Sequence, residues 1–145
     1  MKYWFLGLSL LLLACNNGIK EEKKSAKGAS LDAALDMDNM SEMAKLMERM
    51  NKEHEVVKAK ILKGDTLGEI PDYFYDIHFA TFTDEHDNDD NFKNWAKLYI
   101  AAEENLYAST DNVKDAYNNA INVCIQCHQQ KCGGPIPRIK KLLIK

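Results

Sequence analysis

Side chains suited to a buried helix face recur at alternating intervals of three and four residues in the first half of the chain. They are Met40, Met43, Met47, Met50, His54, Val57 and Ile61. This spacing is typical of one face of an α-helix that packs against other helices. A basic residue followed by glycine, at Lys63-Gly64, predicts the end of this helix.

Three further helices are predicted by the same kind of pattern. Pro71, a favoured first-turn residue, predicts the start of a helix that carries Phe74, Ile77, His78 and Phe82. After a polar loop over residues 84–90, the next helix is predicted from the spacing of Phe92, Trp95, Leu98, Tyr99, Ala102 and Leu106. The last would begin at Thr110 or Asp111, stop at residues 133–137, and bury Val113, Tyr117, Ala120, Cys124 and then Cys127 or His128. The predicted fold is therefore all-α, an antiparallel up-down four-helix bundle.

Composition limits the classes of protein to which the chain can belong. Its 145 residues leave room for one domain, and 46% hydrophobic with 28% charged residues is ordinary globular composition. With 19 Lys+Arg against 22 Asp+Glu the formal net charge is −3, so no nucleic-acid partner is expected. Of the four cysteines, Cys15 stands alone while Cys124, Cys127 and Cys132 lie close together. That clustering indicates a functional site formed by residues 124–132.

The N-terminus has the layout of an export signal. Lys2 supplies a positive charge, and the apolar run of residues 3–13 is shorter than the ~20 residues that span a bilayer. The run ends in Leu12-Leu13-Ala14-Cys15, which resembles the lipobox of bacterial lipoproteins, where the peptide is cut before a cysteine that then receives a diacylglycerol. We expect residues 1–14 to be a lipoprotein signal peptide and Cys15 the lipidation site. A plain secretory signal, with Cys15 incidental, is the alternative.

The segment after the lipid site is polar. Residues 15–30 contain almost no large apolar side chains and are expected to form a flexible, lipidated tether. The folded domain would span residues 31–145, with Ser30 as its first N-cap and Asp32 in the first turn. No later apolar run is long enough to span a bilayer. We therefore expect an exported protein on the periplasmic side of a bacterial membrane, anchored through its lipid.

The motif that carries chemistry is Cys124-Ile125-Gln126-Cys127-His128. On a helix, residues i, i+3 and i+4 share a face, so both thiols and the imidazole can contact one planar ligand. Two thiols at this spacing can form thioethers with the vinyl groups of a haem, and the adjacent histidine can bind its iron. One covalently attached haem c is the expected cofactor.

Three other uses of these residues are open. A thioredoxin-type Cys-x-x-Cys normally begins a helix after a strand, whereas this one lies late in a helix. A zinc site could take Cys124, Cys127, His128 and Cys132, but three ligands would have to surround a tetrahedral ion from one helix face. A disulfide between Cys124 and Cys127 has poor geometry within a helix. The spacing and the export signal together favour haem.

A single Cys-x-x-Cys-His near the C-terminus, on the last helix of an exported bundle, resembles the cytochrome c′ family and its low-spin relatives over about residues 31–130. The resemblance implies a bundle enclosing one haem, with Cys124 and Cys127 as thioether sites and His128 as the proximal iron ligand. It also implies a distal side chain from the first helix. An apolar one leaves iron five-coordinate, and a methionine makes it six-coordinate. The tail 132–138 departs from the short basic helix end that is usual in the family.

The methionines of the first helix are the candidates for a distal ligand. Methionine at helical spacing is usually core filler, but by depth in an antiparallel bundle Met47 is the first choice and Met50 the second. His54 and His78 are weaker candidates, each more simply a half-buried histidine. Cys132 is either a buried thiol or an inter-chain partner.

Two functions follow from the two coordination states. A six-coordinate iron would carry single electrons to or from a redox partner protein, and a five-coordinate iron in an apolar pocket would bind nitric oxide or carbon monoxide. No nucleophile–base pair or paired carboxylates stand out, so an enzyme is not expected. The other partners are the membrane, through Cys15, and a second copy of the chain, which the sequence leaves open. A structural lipoprotein without haem is the third hypothesis.

Overall fold

The computed structural model describes residues 39–145. Within this range lie four α-helices, two short 3₁₀ segments and no strand, which confirms the all-α prediction for these residues. The α-helices are α1 (Glu42–Lys63), α2 (Asp90–Ala108), α3 (Val113–Lys131) and α4 (Ile136–Leu142). The 3₁₀ segments are Asp72–His78 and Glu85–Asp87. The predictions for the signal peptide 1–14, Cys15, the tether 15–30, and the cap at Ser30 lie outside the described residues.

Helix α1 is bounded by two local signals. The Ser41 hydroxyl oxygen accepts a hydrogen bond from the Ala44 N–H at 3.2 Å, which satisfies one of the free donors of the first turn. Gly64 follows the last residue at φ 78°, a left-handed conformation that favours glycine, and its N–H donates to the Ile61 carbonyl. The predicted end of the helix at Lys63-Gly64 is confirmed.

The prediction of a second α-helix from Pro71 through Phe82 is wrong. The chain forms a 3₁₀ segment from Asp72 to His78 instead. Phe74 and Ile77 are both buried, and the three-residue repeat of a 3₁₀ turn places them on one side. Aspartate and aromatic residues, which are weak α-helix formers, make up most of this segment, so packing of two apolar anchors decides its geometry.

Helices α2 and α3 pack along each other across a short connection. Asp89 caps α2, because its carboxylate accepts from the Phe92 N–H at 2.8 Å. Helix α3 begins after Asn112, one or two residues later than predicted, and the Asn112 side chain makes no capping hydrogen bond. Its end at Lys131 agrees with the stop predicted from residues 133–137.

Helix α4 is an element that the sequence prediction missed. Pro137 lies in its first turn, where the absent N–H costs no intrahelical bond. Ile139 and Leu142 of α4 are buried, and the helix packs against α1 and α3. The glycine and proline residues that stop α3 therefore also start a new helix that returns to the core.

Two clusters of buried side chains form the core of residues 39–145. One joins α1 and α2 to the 3₁₀ segment Asp72–His78, and the other joins α1, α2 and α3 to α4. Cys124 of α3 packs against both clusters. The chemistry-bearing end of α3 therefore lies where the two clusters meet.

Candidate functional site

A mostly apolar cavity lies among the four α-helices. Met50 and His54 of α1, Tyr99 of α2, Cys124 of α3 and Leu142 of α4 contribute to its wall. Its volume is about 60 Å³. Because every α-helix supplies side chains to this wall, any molecule bound there would contact both core clusters.

The three side chains of the Cys-x-x-Cys-His motif belong to this wall together. Cys124, Cys127 and His128 all line the cavity, and each is half-buried. The prediction that they share one helix face is therefore confirmed. They lie in the last two turns of α3, and the α3 end is held by an ion pair between Lys131 and Asp89.

Both thiols of the motif are protonated at neutral pH. Burial is the main cause that raises the pKa of Cys127 to about 11, and it raises the pKa of Cys124 still further. A redox-active Cys-x-x-Cys needs a thiol whose pKa is lowered, as at a helix N-terminus. The geometry of α3 therefore disfavours a thioredoxin-type role for these residues.

The imidazole of His128 is held in one tautomer by the end of its own helix. Its Nδ1 lies 3.0 Å from the Cys132 carbonyl oxygen, and since a carbonyl only accepts, Nδ1 carries the proton and donates. Burial lowers the pKa of His128; the bond to Cys132 opposes this, and the Arg138 guanidinium adds to it. A neutral imidazole with its Nε2 lone pair free is the form that binds iron.

Helix α1 offers two thioether sulfurs to the same cavity. Met47 is half-buried and Met50 is buried, and both line the wall. Glu48, beside Met47 in the chain, accepts two hydrogen bonds from Arg138, one of them 2.8 Å long from Nη1 to Oε2. Arg138 in turn acts on the charge of His128. Met47, Met50, Arg138 and His128 all line the same cavity, so Met47 stays the first candidate from the sequence and Met50 the second.

Two other sequence-predicted candidates lie away from the cavity. His78 is exposed on the 3₁₀ segment Asp72–His78 and does not line the wall. Cys132 is exposed as well, so the interpretation of it as a buried thiol is wrong, because it lies past the last turn of α3. Among residues 39–145, no three His, Cys, Asp or Glu side chains are arranged to hold a metal ion. Of the four zinc ligands considered from the sequence, Cys132 does not line the cavity with the other three.

A buried polar pair behind the wall was missed by the sequence prediction. Glu103 of α2 is 0% exposed and His54 of α1 is 2% exposed, and His54 Nε2 lies 3.3 Å from Glu103 Oε1. Tyr99 Oη lies 3.4 Å from the same nitrogen, and Tyr117 donates to the His54 carbonyl oxygen at 2.9 Å. The available signal was spacing, since Glu103 stands four residues after Tyr99 on the inward face of α2.

Without a charged group in the cavity, the His54–Glu103 pair holds one proton across the neutral range. Burial lowers the pKa of His54 to about 4 and raises the pKa of Glu103 to about 8. Below about 4 the pair therefore holds two protons, and above about 8 it holds none. Between these limits it holds one, whether that proton is on the carboxyl or on the imidazole.

This proton makes the stability of the domain depend on pH. In the unfolded chain, with ordinary values of 6.5 and 4.5, the pair loses its last proton above pH 6.5, whereas the folded pair keeps it to about pH 8. The folded state thus binds more protons between these limits, and the free energy of unfolding should fall by about 2 kcal/mol as pH rises through them. Glu103→Gln, which keeps the neutral shape, should remove this fall.

Thermal unfolding followed by circular dichroism at pH 6.5 and pH 8 measures the difference. Glu104→Gln is the matched control, because Glu104 is the next residue, is exposed, and only accepts from the Tyr75 hydroxyl. The control should keep the fall in stability. An equal fall in the Glu103→Gln variant would show that another group holds the proton.

The cavity fits a haem in chemistry rather than in present volume. Two thiols, one free imidazole nitrogen and two thioethers belong to an otherwise mainly apolar wall, which is the donor set of a c-type site. Asn51 Oδ1 and His54 Nδ1, from side chains of the same wall, are buried without a hydrogen-bond partner within the described residues. Ligand pockets usually hold ~300–1,000 Å³, so the wall would have to open for this cavity of about 60 Å³ to take a haem.

Comparisons of the chain with protein-family models, with curated proteins and with solved structures found no match. Across residues 39–145, the helices are all too short or too polar to cross a membrane. The functional assignment therefore depends on the motif, the cavity and the chemistry of the side chains that line it.

Proposed function

We propose that this protein is an exported c-type cytochrome, similar to the cytochrome c′ family, that binds one haem within its helical bundle and carries single electrons at a bacterial membrane surface. The observation that supports this most strongly is the convergence of Cys124, Cys127 and His128 on one apolar cavity. Met47 and Met50 belong to the same wall. These are the groups that covalent attachment and two-sided ligation of a haem require.

Each of these side chains has a distinct role in the proposal. The S–H groups of Cys124 and Cys127 add across vinyl double bonds, so each thioether forms without a leaving group. His128 Nε2 binds iron, and the Nδ1–H bond to Cys132 keeps that nitrogen unprotonated and the ring oriented. Met47 would supply the other iron ligand from the protein. The bound haem supplies the one-electron couple, and the apolar wall keeps water from it.

Gas binding is the second candidate, and the orphaned polar atoms of α1 favour it. His54 Nδ1 and Asn51 Oδ1 belong to the cavity wall and lack partners, so they could contact a small molecule bound at an open iron position. Electron transfer remains the preferred function, because two methionine sulfurs line the wall where a dedicated gas-binding site would more simply present leucine or phenylalanine.

A reduced-minus-oxidised absorption spectrum of the purified protein separates these hypotheses. We expect a sharp low-spin pattern, since histidine and methionine together give six-coordinate iron. A broad high-spin pattern would indicate five-coordinate iron and would favour gas binding instead of electron transfer. The absence of haem bands would contradict both functions and leave the structural lipoprotein.

The lipid anchor has its own test. Cys15→Ser should release the protein from membranes, because the variant lacks the thiol to which the lipid is proposed to be attached. In the wild type, two or more acyl chains on Cys15 would make the attachment lasting. Cys132→Ser, at an exposed thiol outside the cavity, is the matched control and should remain membrane-bound. Sedimentation after a salt wash measures the difference. A Cys15→Ser protein that still sediments would show that the lipobox interpretation is wrong.

A further inference from the structure

A buried carboxyl group lies directly behind the cavity wall, and the electron transfer proposed above does not use it. Glu103 is 0% exposed, and neither of its oxygens has a hydrogen-bond partner within the described residues. His54 Nε2 lies 3.3 Å from Glu103 Oε1, and the Tyr99 hydroxyl also acts on the carboxyl by lowering its pKa. His54, Tyr99 and Cys124 all line the cavity. One layer of side chains therefore separates this carboxyl from the cavity.

The surroundings of Glu103 offer little to balance a negative charge. The titratable groups that act on it or respond to it are His54 of α1, Tyr99 and Tyr107 of α2, and Tyr117 and Cys124 of α3. Helix α4 adds Ile139 and Leu142 to the cavity, and the 3₁₀ segment Asp72–His78 adds Ile77. Of these groups, His54 is the one that can become a cation, and it too is buried. An ionised Glu103 would gain most from a positive charge that appears in the cavity itself.

We propose that the Glu103–His54 pair, with Glu103 as the proton acceptor, takes up one proton when the haem gains an electron and releases it when the haem loses one. This inference rests on the proposed haem site. It would make the protein a carrier of a proton with each electron rather than of an electron alone.

The step balances as one electron and one proton. A one-electron donor reduces the iron, which removes one positive charge from the cavity, and a proton from water binds the Glu103 carboxylate, so the net charge of the buried region is unchanged. On oxidation the positive charge returns, the carboxyl O–H bond breaks, and the proton leaves to water. A charge in the cavity and a charge on Glu103 would interact strongly, because Glu103 is fully buried and little water screens it. The His54 ring lines the cavity and lies 3.3 Å from Glu103, so it is the proposed relay for the proton.

Potentiometric titration of the haem-loaded protein from pH 6 to pH 9 tests the inference. The reduction potential should fall as pH rises, at the steepest by a tenfold change in the redox equilibrium per pH unit, which is ~59 mV for one electron. Because glutamine resembles the protonated carboxyl, the reduction potential of Glu103→Gln should stay, from pH 6 to pH 9, near the value that the wild type has at low pH. Glu104→Gln, at the exposed neighbouring carboxylate, should keep the wild-type slope.

An infrared difference spectrum of the wild type provides a measurement that does not depend on a variant folding. With ¹³C-labelled glutamate, reduction should produce a protonated-carboxyl band that shifts with the label. A pH-independent potential, a Glu103→Gln slope equal to that of the wild type, or the absence of a carboxyl band would each overturn the inference while leaving the haem assignment standing. A purified protein with no haem bands at all would instead overturn the proposed function, and this inference with it.

Discussion

Cys124→Ala together with Cys127→Ala is expected to abolish covalent haem and to leave a domain that is weakly stable or unfolded. Both thiols line the cavity, and the double variant removes both attachment points at once. Burial of large apolar groups dominates the stability of a small domain, and single truncations in a core already cost ~2–5 kcal/mol. Loss of the haem and its wall contacts should cost more than such truncations. Acid-acetone extraction of haem and thermal unfolding measure the two effects.

The controls for this prediction come from the same end of α3. Cys132→Ala should retain covalent haem and ordinary stability, because Cys132 is exposed and lies outside the cavity wall. Either single variant, Cys124→Ala or Cys127→Ala, should keep haem through one thioether. Haem that resists extraction from the double variant would contradict the attachment sites.

Met47→Leu is expected to convert the haem spectrum from low-spin to high-spin and to raise the affinity for carbon monoxide. The change removes the proposed distal sulfur and nearly conserves volume, so the cost in stability should stay below ~1.5 kcal/mol. Met47 lines the same cavity as His128, at the depth in α1 that the sequence predicts for a distal ligand. Absorption spectra of the oxidised and reduced variant measure the spin state.

Met50→Leu is the matched comparison, one helical turn away on the same face. It should leave the spectrum low-spin, although Met50 also lines the cavity. If Met50→Leu converts the spectrum while Met47→Leu does not, the ligand is one turn from its proposed place and the electron-carrier function stands. If the wild type is already high-spin, no methionine binds the iron, so neither variant tests a ligand, and gas binding replaces electron transfer as the proposed function.

Much of the fold of residues 39–145 could be predicted from local patterns. Of the predicted seam, Met43, Met50, His54 and Val57 are buried in α1, whereas Met40 precedes the helix and Ile61 is half-buried. The end of α1 at Gly64 follows from the need for a left-handed residue. The shared face of Cys124, Cys127 and His128 follows from helical geometry alone. These features depend on neighbours in the chain, which is why the sequence is sufficient for them.

The features that were missed depend on packing between distant parts of the chain. Whether Phe74 and Ile77 anchor an α-helix or a 3₁₀ turn is decided by the core that receives them. Helix α4 has only seven residues and is stabilised by burying Ile139 and Leu142 against other helices. Spacing places Glu103 on the inward face of α2, but glutamates are usually exposed, and its complete burial results from the packing of the assembled helices.

The most direct test of the central claim is mass spectrometry of the tryptic fragment of residues 115–131, from protein produced in a host that matures c-type cytochromes. This fragment contains Cys124, Cys127 and His128 and excludes Cys132. The haem-site assignment predicts that the fragment carries one covalently bound haem and no free thiol. An unmodified fragment with two thiols that react with iodoacetamide would contradict it.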